Sequence, residues 1–305
     1  MVESFETYRP YLFAIAYRML GSAMDAEDMV QETYIRSQAT PPEPIRSLRA
    51  YLSTILIHLC MDELKIARRR REEYMGPWLP EPILTEITSP SAEPGGGDPA
   101  ERVDREESIS LAFLVLLERL QPLERAVFLL REVFEYEFAE IARMLDKSEA
   151  ACRRSFSRAK KHLSEHRPRF PPSPQTHRQL LTGFFQAVQG GDMSSLMDLL
   201  SEDVTLWADG GGKIKTAALR SIVGRDAVAR FSLGTVRFLP ADYQVEIAEV
   251  NAQAAVIIRT GAQALFVLTI EVEAGQIQAI RIIANPEKLA RISQATDAPR
   301  EERTQ

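Results

Sequence analysis

Two proline- and glycine-rich breaks cut this chain into stretches of unlike character. The first runs from Gly76 to about residue 105 and holds Pro77, Pro80, Pro82, Pro90, Pro94, Gly95–Gly97 and Pro99. The second holds Pro168, Pro171, Pro172 and Pro174. Proline lacks the backbone donor and clashes with the preceding helical turn, so neither break can sit inside a regular element. The expected division is a helical domain over 1–73, a linker over 74–105, a second helical domain over 106–168, a third domain over 175–290 and a flexible tail over 291–305.

The first stretch reads as helix. Leu12, Ile15, Ala16, Met19 and Leu20 repeat at the spacing of a half-buried helical stripe. Gly21 should stop that helix. Ser22 precedes the acid-rich start of a second, Asp25 to Arg36. Pro41, Pro42 and Pro44 break the chain again, and helical patterning resumes from about Arg46 to Arg71. In the second stretch Leu111, Leu114, Val115 and Glu118 open one helix, and Pro122 stands at the first position of another, ahead of Ala126–Val133.

The third stretch changes period. A helix over His177–Gln189, ended by Gly190 and Gly191, and a short one over Met193–Leu200 precede β-branched runs at Val204–Ala208, Tyr243–Val250, Ala254–Thr260, Leu265–Val272 and Ile277–Ile283. Helices followed by antiparallel strands define an α+β domain. The fold class expected is thus multidomain: two all-α domains and a C-terminal α+β domain.

The net charge of −6 conceals an uneven distribution. Residues 65–71, KIARRRR, hold five basic residues and no acid, and residues 147–169 carry a net +6, whereas residues 175–290 carry a net −2. Two parts of the helical half are therefore suited to phosphate. No apolar run reaches the ~18–20 residues of a membrane span, and residues 1–10 lack the layout of a secretory signal. A cytoplasmic protein without a membrane partner is expected. Cys60 and Cys152 lack the spacing of a zinc site and read as reduced core thiols, so no metal and no cofactor is expected.

Glu137–Lys161 is a helix-turn-helix candidate. Phe138, Ile141, Ala142 and Leu145 form one apolar face; Cys152, Phe156, Ala159 and Leu163 form another. Asp146-Lys147-Ser148 joins them, with Ser148 placed to cap the second helix. Arg153, Ser157, Lys160 and Lys161 lie opposite the second apolar face, where a recognition helix meets the major groove.

These segments resemble the extracytoplasmic-function (ECF) class of bacterial sigma factors. Leu12–Arg36, with its AED-x-x-Q-E-T core, is similar to sigma region 2; Phe138–Lys161 is similar to region 4.2. YMGPWLPEPI (74–83), DGGGK (209–213) and NPEKL (285–289) resemble a narrower SigJ-like group whose C-terminal extension is similar to the SnoaL/NTF2-like cone. The resemblance implies that Asp28, Gln31 and Glu32 face core RNA polymerase, with the β′ clamp helices and the β flap as its contact points. It places Tyr51, His58, Lys65, Arg68, Arg69 and Arg70 on the −10 promoter element. It places Arg153, Arg154, Ser157, Arg158, Lys160 and Lys161 on the −35 element. It implies no catalytic residue, and control by the fused domain in place of a separate anti-sigma factor.

Regulatory contacts are expected between Trp78, Leu79 and Pro80 of the linker and two sites of the last domain. These sites are Asp209, Gly210, Gly211, Gly212 and Lys213, and Asn285, Pro286 and Lys288. The linker's Trp78 and Leu79 would otherwise leave apolar area in water, and three glycines permit close approach. Two alternatives stand beside this. Asp209 could serve as an enzymatic general base, for which Trp207 offers an apolar wall but no oxyanion donor is evident. The chain could also be a one-component helix-turn-helix regulator with a ligand-binding or enzymatic domain, which leaves Leu12–Arg36 and KIARRRR without purpose.

Overall fold

The computed structural model describes residues 2–39, 47–85, 109–164 and 173–294. The chain divides into two units. One joins Met1–Glu73 to Ile87–Arg167, and the other joins Tyr74–Glu86 to Pro168–Gln305.

In the first unit α1 (Val2–Leu20), α2 (Ala23–Ala39) and α3 (Leu48–Glu72) pack on one another. The stripe Leu12, Ile15, Ala16, Met19 and Leu20 is sealed from solvent. Gly21 adopts a left-handed conformation (φ 68°) and its N–H reaches the Tyr17 carbonyl at 2.8 Å, closing α1. The Ser22 hydroxyl accepts from the Asp25 N–H, and Ser47 caps α3 through the Ala50 N–H. Pro41, Pro42 and Pro44 lie outside the described residues.

The same unit continues with α4 (Leu111–Leu117), α5 (Pro122–Phe128), a π-helical turn (Leu129–Val133), α6 (Phe138–Leu145) and α7 (Glu149–Ser164). Pro122 is the first residue of α5. The π turn inserts one extra residue into the helical ladder, and Glu135 follows with φ 59°. Tyr136 is thereby left buried in the loop before α6. Asp146 closes α6 in the left-handed conformation (φ 51°, ψ 53°), and Ser148 caps α7 through the Ala151 N–H.

The second unit holds α8 (Pro174–Gly190), α9 (Met193–Leu199), β1 (Leu200–Asp209), β2 (Ile222–Val223), α10 (Arg225–Val236), β3 (Gln244–Val250), β4 (Gln253–Thr260), β5 (Gln263–Glu273), β6 (Gln276–Ile283) and α11 (Ala290–Gln294). The described strands form one sheet in the order β2-β1-β6-β5-β4-β3. Leu181 and Phe184 of α8, Val228 of α10 and Leu206, Ile258, Ile270 and Ile280 of the sheet share its core.

Four findings differ from the sequence reading. Pro174, read as linker, is the first residue of α8 behind the Ser173 cap, where its missing N–H costs nothing. The strands are not all antiparallel, because β1 and β6 pair in parallel. More than sixty residues, including α10 and four strands, separate them, which gives the length a parallel crossover needs. Helix α10 was not expected; Gly224, Gly234 and β-branched residues disguise its buried face of Val228, Ala229 and Ser232. Finally, the start of the expected tail is structured. Ile292 of α11 is buried, and its carbonyl accepts from the Arg259 guanidinium at 3.2 Å. Residues 295–305 lie outside the described set.

Asp146 holds a left-handed conformation that a side chain disfavours and glycine does not. Asp146→Gly should stabilise the first unit by ~0.5–1 kcal/mol. Urea unfolding followed by far-UV circular dichroism would read this as a higher midpoint with unchanged slope; a lower midpoint would show that the Asp146 side chain itself supports the turn.

Candidate nucleic-acid interface and strap site

In the second unit residues 74–85 form a strap across the end of the sheet. Asp209, the last residue of β1, has no exposed surface. Its carboxylate accepts four hydrogen bonds. Oδ1 takes the Tyr74 hydroxyl at 2.5 Å and the Gly211 N–H at 3.2 Å, and Oδ2 takes the Leu79 N–H at 2.9 Å and the Lys288 ammonium at 2.6 Å. Lys288 also donates to the Leu79 carbonyl and lies over the Trp78 ring, 4.3 Å from its centroid. Asn285 donates from Nδ2 to the Tyr74 hydroxyl at 2.9 Å. Burial, and then the adjacent Asp209 carboxylate, push the Tyr74 phenol well above its ordinary value, so it stays a donor.

The glycines of DGGGK are fixed by space as well as by conformation. A Cβ on Gly211 would fall 2.5 Å from Asn285 Nδ2, and one on Gly210 2.6 Å from the Ala217 Cβ. Gly212 faces the Met75 side chain, and Lys213 pairs with Glu287 at 2.5 Å. Pro80 is buried in the strap, whereas Pro286 is exposed. At its far end the strap exchanges two hydrogen bonds with Asn251, Ile83 N–H to Oδ1 and Asn251 N–H to the Ile83 carbonyl. Tyr74, Ile83 and Asn251 were missed as site residues. The only signal for Asn251 was its place in a turn.

Asp209 therefore does not fit a general base: both oxygens are occupied by donors from the strap and from its own unit. A buried carboxylate is tolerated only when paired and hydrogen-bonded, and this one is both.

In the first unit α7 presents the expected cations, which the structure separates by environment. Arg153 pairs with Glu149 at 2.5 Å and lies 4.5 Å from the centroid of the Phe138 ring. Arg158 donates to buried Glu124 at 2.8 Å, tying α7 to α5, and Lys160 reaches Glu132 at 3.3 Å. Arg154, Ser157 and Lys161 are exposed, and Arg154 and Lys161 make no ion pair among the described residues. Cys152, Ser155, Ala159 and Leu163 form the buried face.

On α3, Tyr51 is half-buried and His58 is exposed, its Nε2 2.8 Å from the Met144 carbonyl. Lys65 pairs with Asp62 at 2.8 Å, Arg68 with Glu72 at 4.0 Å, and Arg70 with Glu63, while Arg69 makes no ion pair among the described residues. Arg71 differs from its basic neighbours. It turns inward to the Leu20 carbonyl at 2.9 Å and to Glu118, and burial followed by repulsion from Arg125 lowers its pKa to about 9. On α2, Asp28 and Gln31 are exposed and Glu32 pairs with Arg36. Met24 and Ile35, 62% and 52% exposed, flank Asp28 and Gln31 on one helical stripe.

Among the described residues no helix is long and apolar enough to cross a membrane. Both cysteines are buried free thiols.

A three-helix unit joined to a capped helix-turn-helix with a basic outer face defines a DNA-binding transcription factor of the sigma type. Residues 4–71 match the sigma-70 region 2 model and residues 110–163 the sigma-70 region 4 model. The ECF RNA polymerase sigma factor SigJ of Mycobacterium tuberculosis is 36% identical over 94% of this chain and 92% of its own. The probable ECF sigma factor SigI of the same species is 32% identical over 94% of this chain and 93% of its own. The crystal structure of SigJ covers 95% of this chain and 98% of its own at 34% identity, with a TM-score of 0.73. The chain belongs to the ECF sigma factor family. It is a transcription initiation factor, not an enzyme, and the sigma region 2 match gives the N-terminal helices the purpose that a one-component regulator would deny them.

Removing the Lys288 cation leaves Asp209 buried with its charge uncompensated. Lys288→Met should destabilise the second unit by ~3–5 kcal/mol. Trp78 and Trp207 are the chain's only tryptophans and both lie in this unit, so their fluorescence follows it selectively. A loss below 1 kcal/mol in a denaturant titration would show that the pair is not what compensates Asp209.

Proposed function

We propose that this factor docks core RNA polymerase through α2, reads the −10 element along α3 and the −35 element along α7, and is controlled in cis by its strap. Support for the first part is the α2 stripe. An acidic, hydrogen-bonding centre flanked by Met24 and Ile35 suits a partner helix, and phosphate would repel it. The polymerase contact then takes Asp28, Gln31 and Glu32 as its polar core, in the cytoplasm where polymerase works.

For the −10 element, Lys65, Arg68, Arg69 and Arg70 offer exposed charge along one helix, beside Tyr51 and His58. For the −35 element, Arg154 is the favoured base reader because no acid in the described residues holds it, whereas Arg158 is held by Glu124. Phosphate contacts then fall to Lys160 and Lys161. Arg154→Ala should weaken −35-dependent transcription by about tenfold, within the ~1–3 kcal/mol of a base-directed arginine, and by more than Lys147→Ala in the turn. Equal losses at both positions would mean general phosphate attraction in place of readout.

Cis control is carried by a single observation, the Asp209 carboxylate that gathers Tyr74, Leu79 and Lys288. The strap follows α3 directly in the chain, so its docking and the position of region 2 are linked through the backbone. A separate anti-sigma factor is unnecessary in this reading. Trp78→Ala should change promoter activity in transcription with purified core polymerase, while leaving the affinity for a −35 duplex unaltered. Parent-like transcription by a Trp78→Ala protein would remove the regulatory role of the strap.

A further inference from the structure

Phe138 is the first residue of α6, and two arginines lie over its ring. The Arg131 guanidinium is 5.3 Å and the Arg153 guanidinium 4.5 Å from the ring centroid. The ring is itself anchored. It stands edge-on to Phe156 of α7 at 5.5 Å, and Phe156 stacks on buried Phe128 of α5 at 6.0 Å. Glu140 accepts from the Glu137 N–H at 3.0 Å, which fixes the start of α6. A row of rings thus runs from the interior to Arg153, and the promoter contacts proposed above leave Phe138 without a role.

Arg153 has two holders, and they differ in what they leave free. Glu149 Oε1 takes Arg153 Nε at 3.2 Å and a terminal nitrogen at 2.5 Å, so the ion pair occupies the donor edge of the guanidinium. An exposed pair of this kind is weak, and the phosphates flanking a groove would repel its carboxylate. The ring attracts the cation as a whole and claims no particular N–H. It can therefore keep hold of Arg153 after the donors leave Glu149. Arginine reads guanine with two N–H groups aimed at O6 and N7, which needs the guanidinium in one place. Arg153 lies one turn into α7, in the half of a recognition helix that meets base edges, and its side chain is 60% exposed.

We propose that Phe138 is a positioning residue for −35 recognition. Its ring keeps the Arg153 guanidinium in place while the donor edge passes from Glu149 to a base, which makes Arg153 a second base reader beside Arg154. This rests on the assignment of α7 to the −35 element. A free arginine side chain loses much rotamer freedom when it binds, and a ring that has already removed part of that freedom lowers the cost. The gain belongs to promoters that carry the right base, because attraction to phosphate does not depend on one side-chain orientation.

The test is transcription by the full-length factor with core polymerase from a promoter library randomised across the −35 element, with transcripts counted by sequencing. Arg153→Ala marks the base that Arg153 reads, as the position where preference collapses. Phe138→Leu keeps an apolar side chain against Phe156 and removes the ring. It should lower preference at that same position about fivefold, ~1 kcal/mol, and leave the other positions within about twofold. Phe138→Tyr retains the ring and should restore the parent profile. On an Arg153→Ala background Phe138→Leu should change nothing further. Circular dichroism checks that the leucine variant keeps its helices; Phe138→Met, which also lacks a ring, replaces it if it does not. Equal loss from every −35 sequence, or the same loss with and without Arg153, overturns the proposal, because the ring then only braces α6 against α7. So does an Arg153→Ala profile identical to that of a parent with clear base preferences. A parent with no preference anywhere in the −35 element would instead sink the assignment of α7, and the role of Phe138 with it.

Discussion

A carboxylate without solvent contact organises the C-terminal unit. Asp209 ends β1 at a point where no water can compensate its charge, so the chain must supply donors from elsewhere. Lys288 supplies the counter-charge, Gly211 a local N–H, and the strap a phenol and a backbone N–H. Once these are in place, Trp78 has a cation beneath it and Leu79 has a buried seat. The glycine run then follows of necessity, since side chains at 210 and 211 would collide with Ala217 and Asn285.

The helical unit solves a similar problem with cations. Arg125 is buried, and its guanidinium donates to the carbonyls of Leu117 and Met19 and to Glu118. Burial lowers its pKa to about 9, and that of Arg18 to about 10, the latter donating to the Ala14 carbonyl. Helix ends leave carbonyls without partners, and a planar five-donor group can serve several at once. The Met19 carbonyl belongs to the last turn of α1, so Arg125 joins the end of α1 to α5, the helix that begins at Pro122. The basic residues of this unit thus divide into those turned inward, Arg18, Arg71 and Arg125, and those left exposed.

That division marks where sequence reading succeeds and where it stops. The α1 stripe, the Gly21 stop and the Ser148 cap were legible because each rests on neighbours within one or two helical turns. The five long strands were legible from β-branched runs and turn residues. The parallel β1–β6 pair was not, because pairing between distant segments leaves no local trace. Arg71 looks identical to Arg69 in KIARRRR; only the fold turns one inward. Trp78 and Leu79 announced that the strap must dock, and the glycines indicated where. Tyr74 and Asn251 stayed hidden because a phenol or an amide in a loop has many possible partners. Tyr136 was hidden for the same reason, placed by a π turn that periodicity does not reveal.

The strap also sets a schedule for synthesis. Tyr74 and Asp209 are 135 residues apart in the chain. A ribosome adding roughly 5–20 residues per second makes Asp209 about 7–27 s after Tyr74. The region 2 helices are already made when that interval begins and the region 4 helices are finished within it, while Trp78 and Leu79 wait without their seat. The last donor, Lys288, is made later still. For those seconds the nascent factor carries an apolar segment open to chaperones, and the site that the segment fills is complete only once Lys288 has been made.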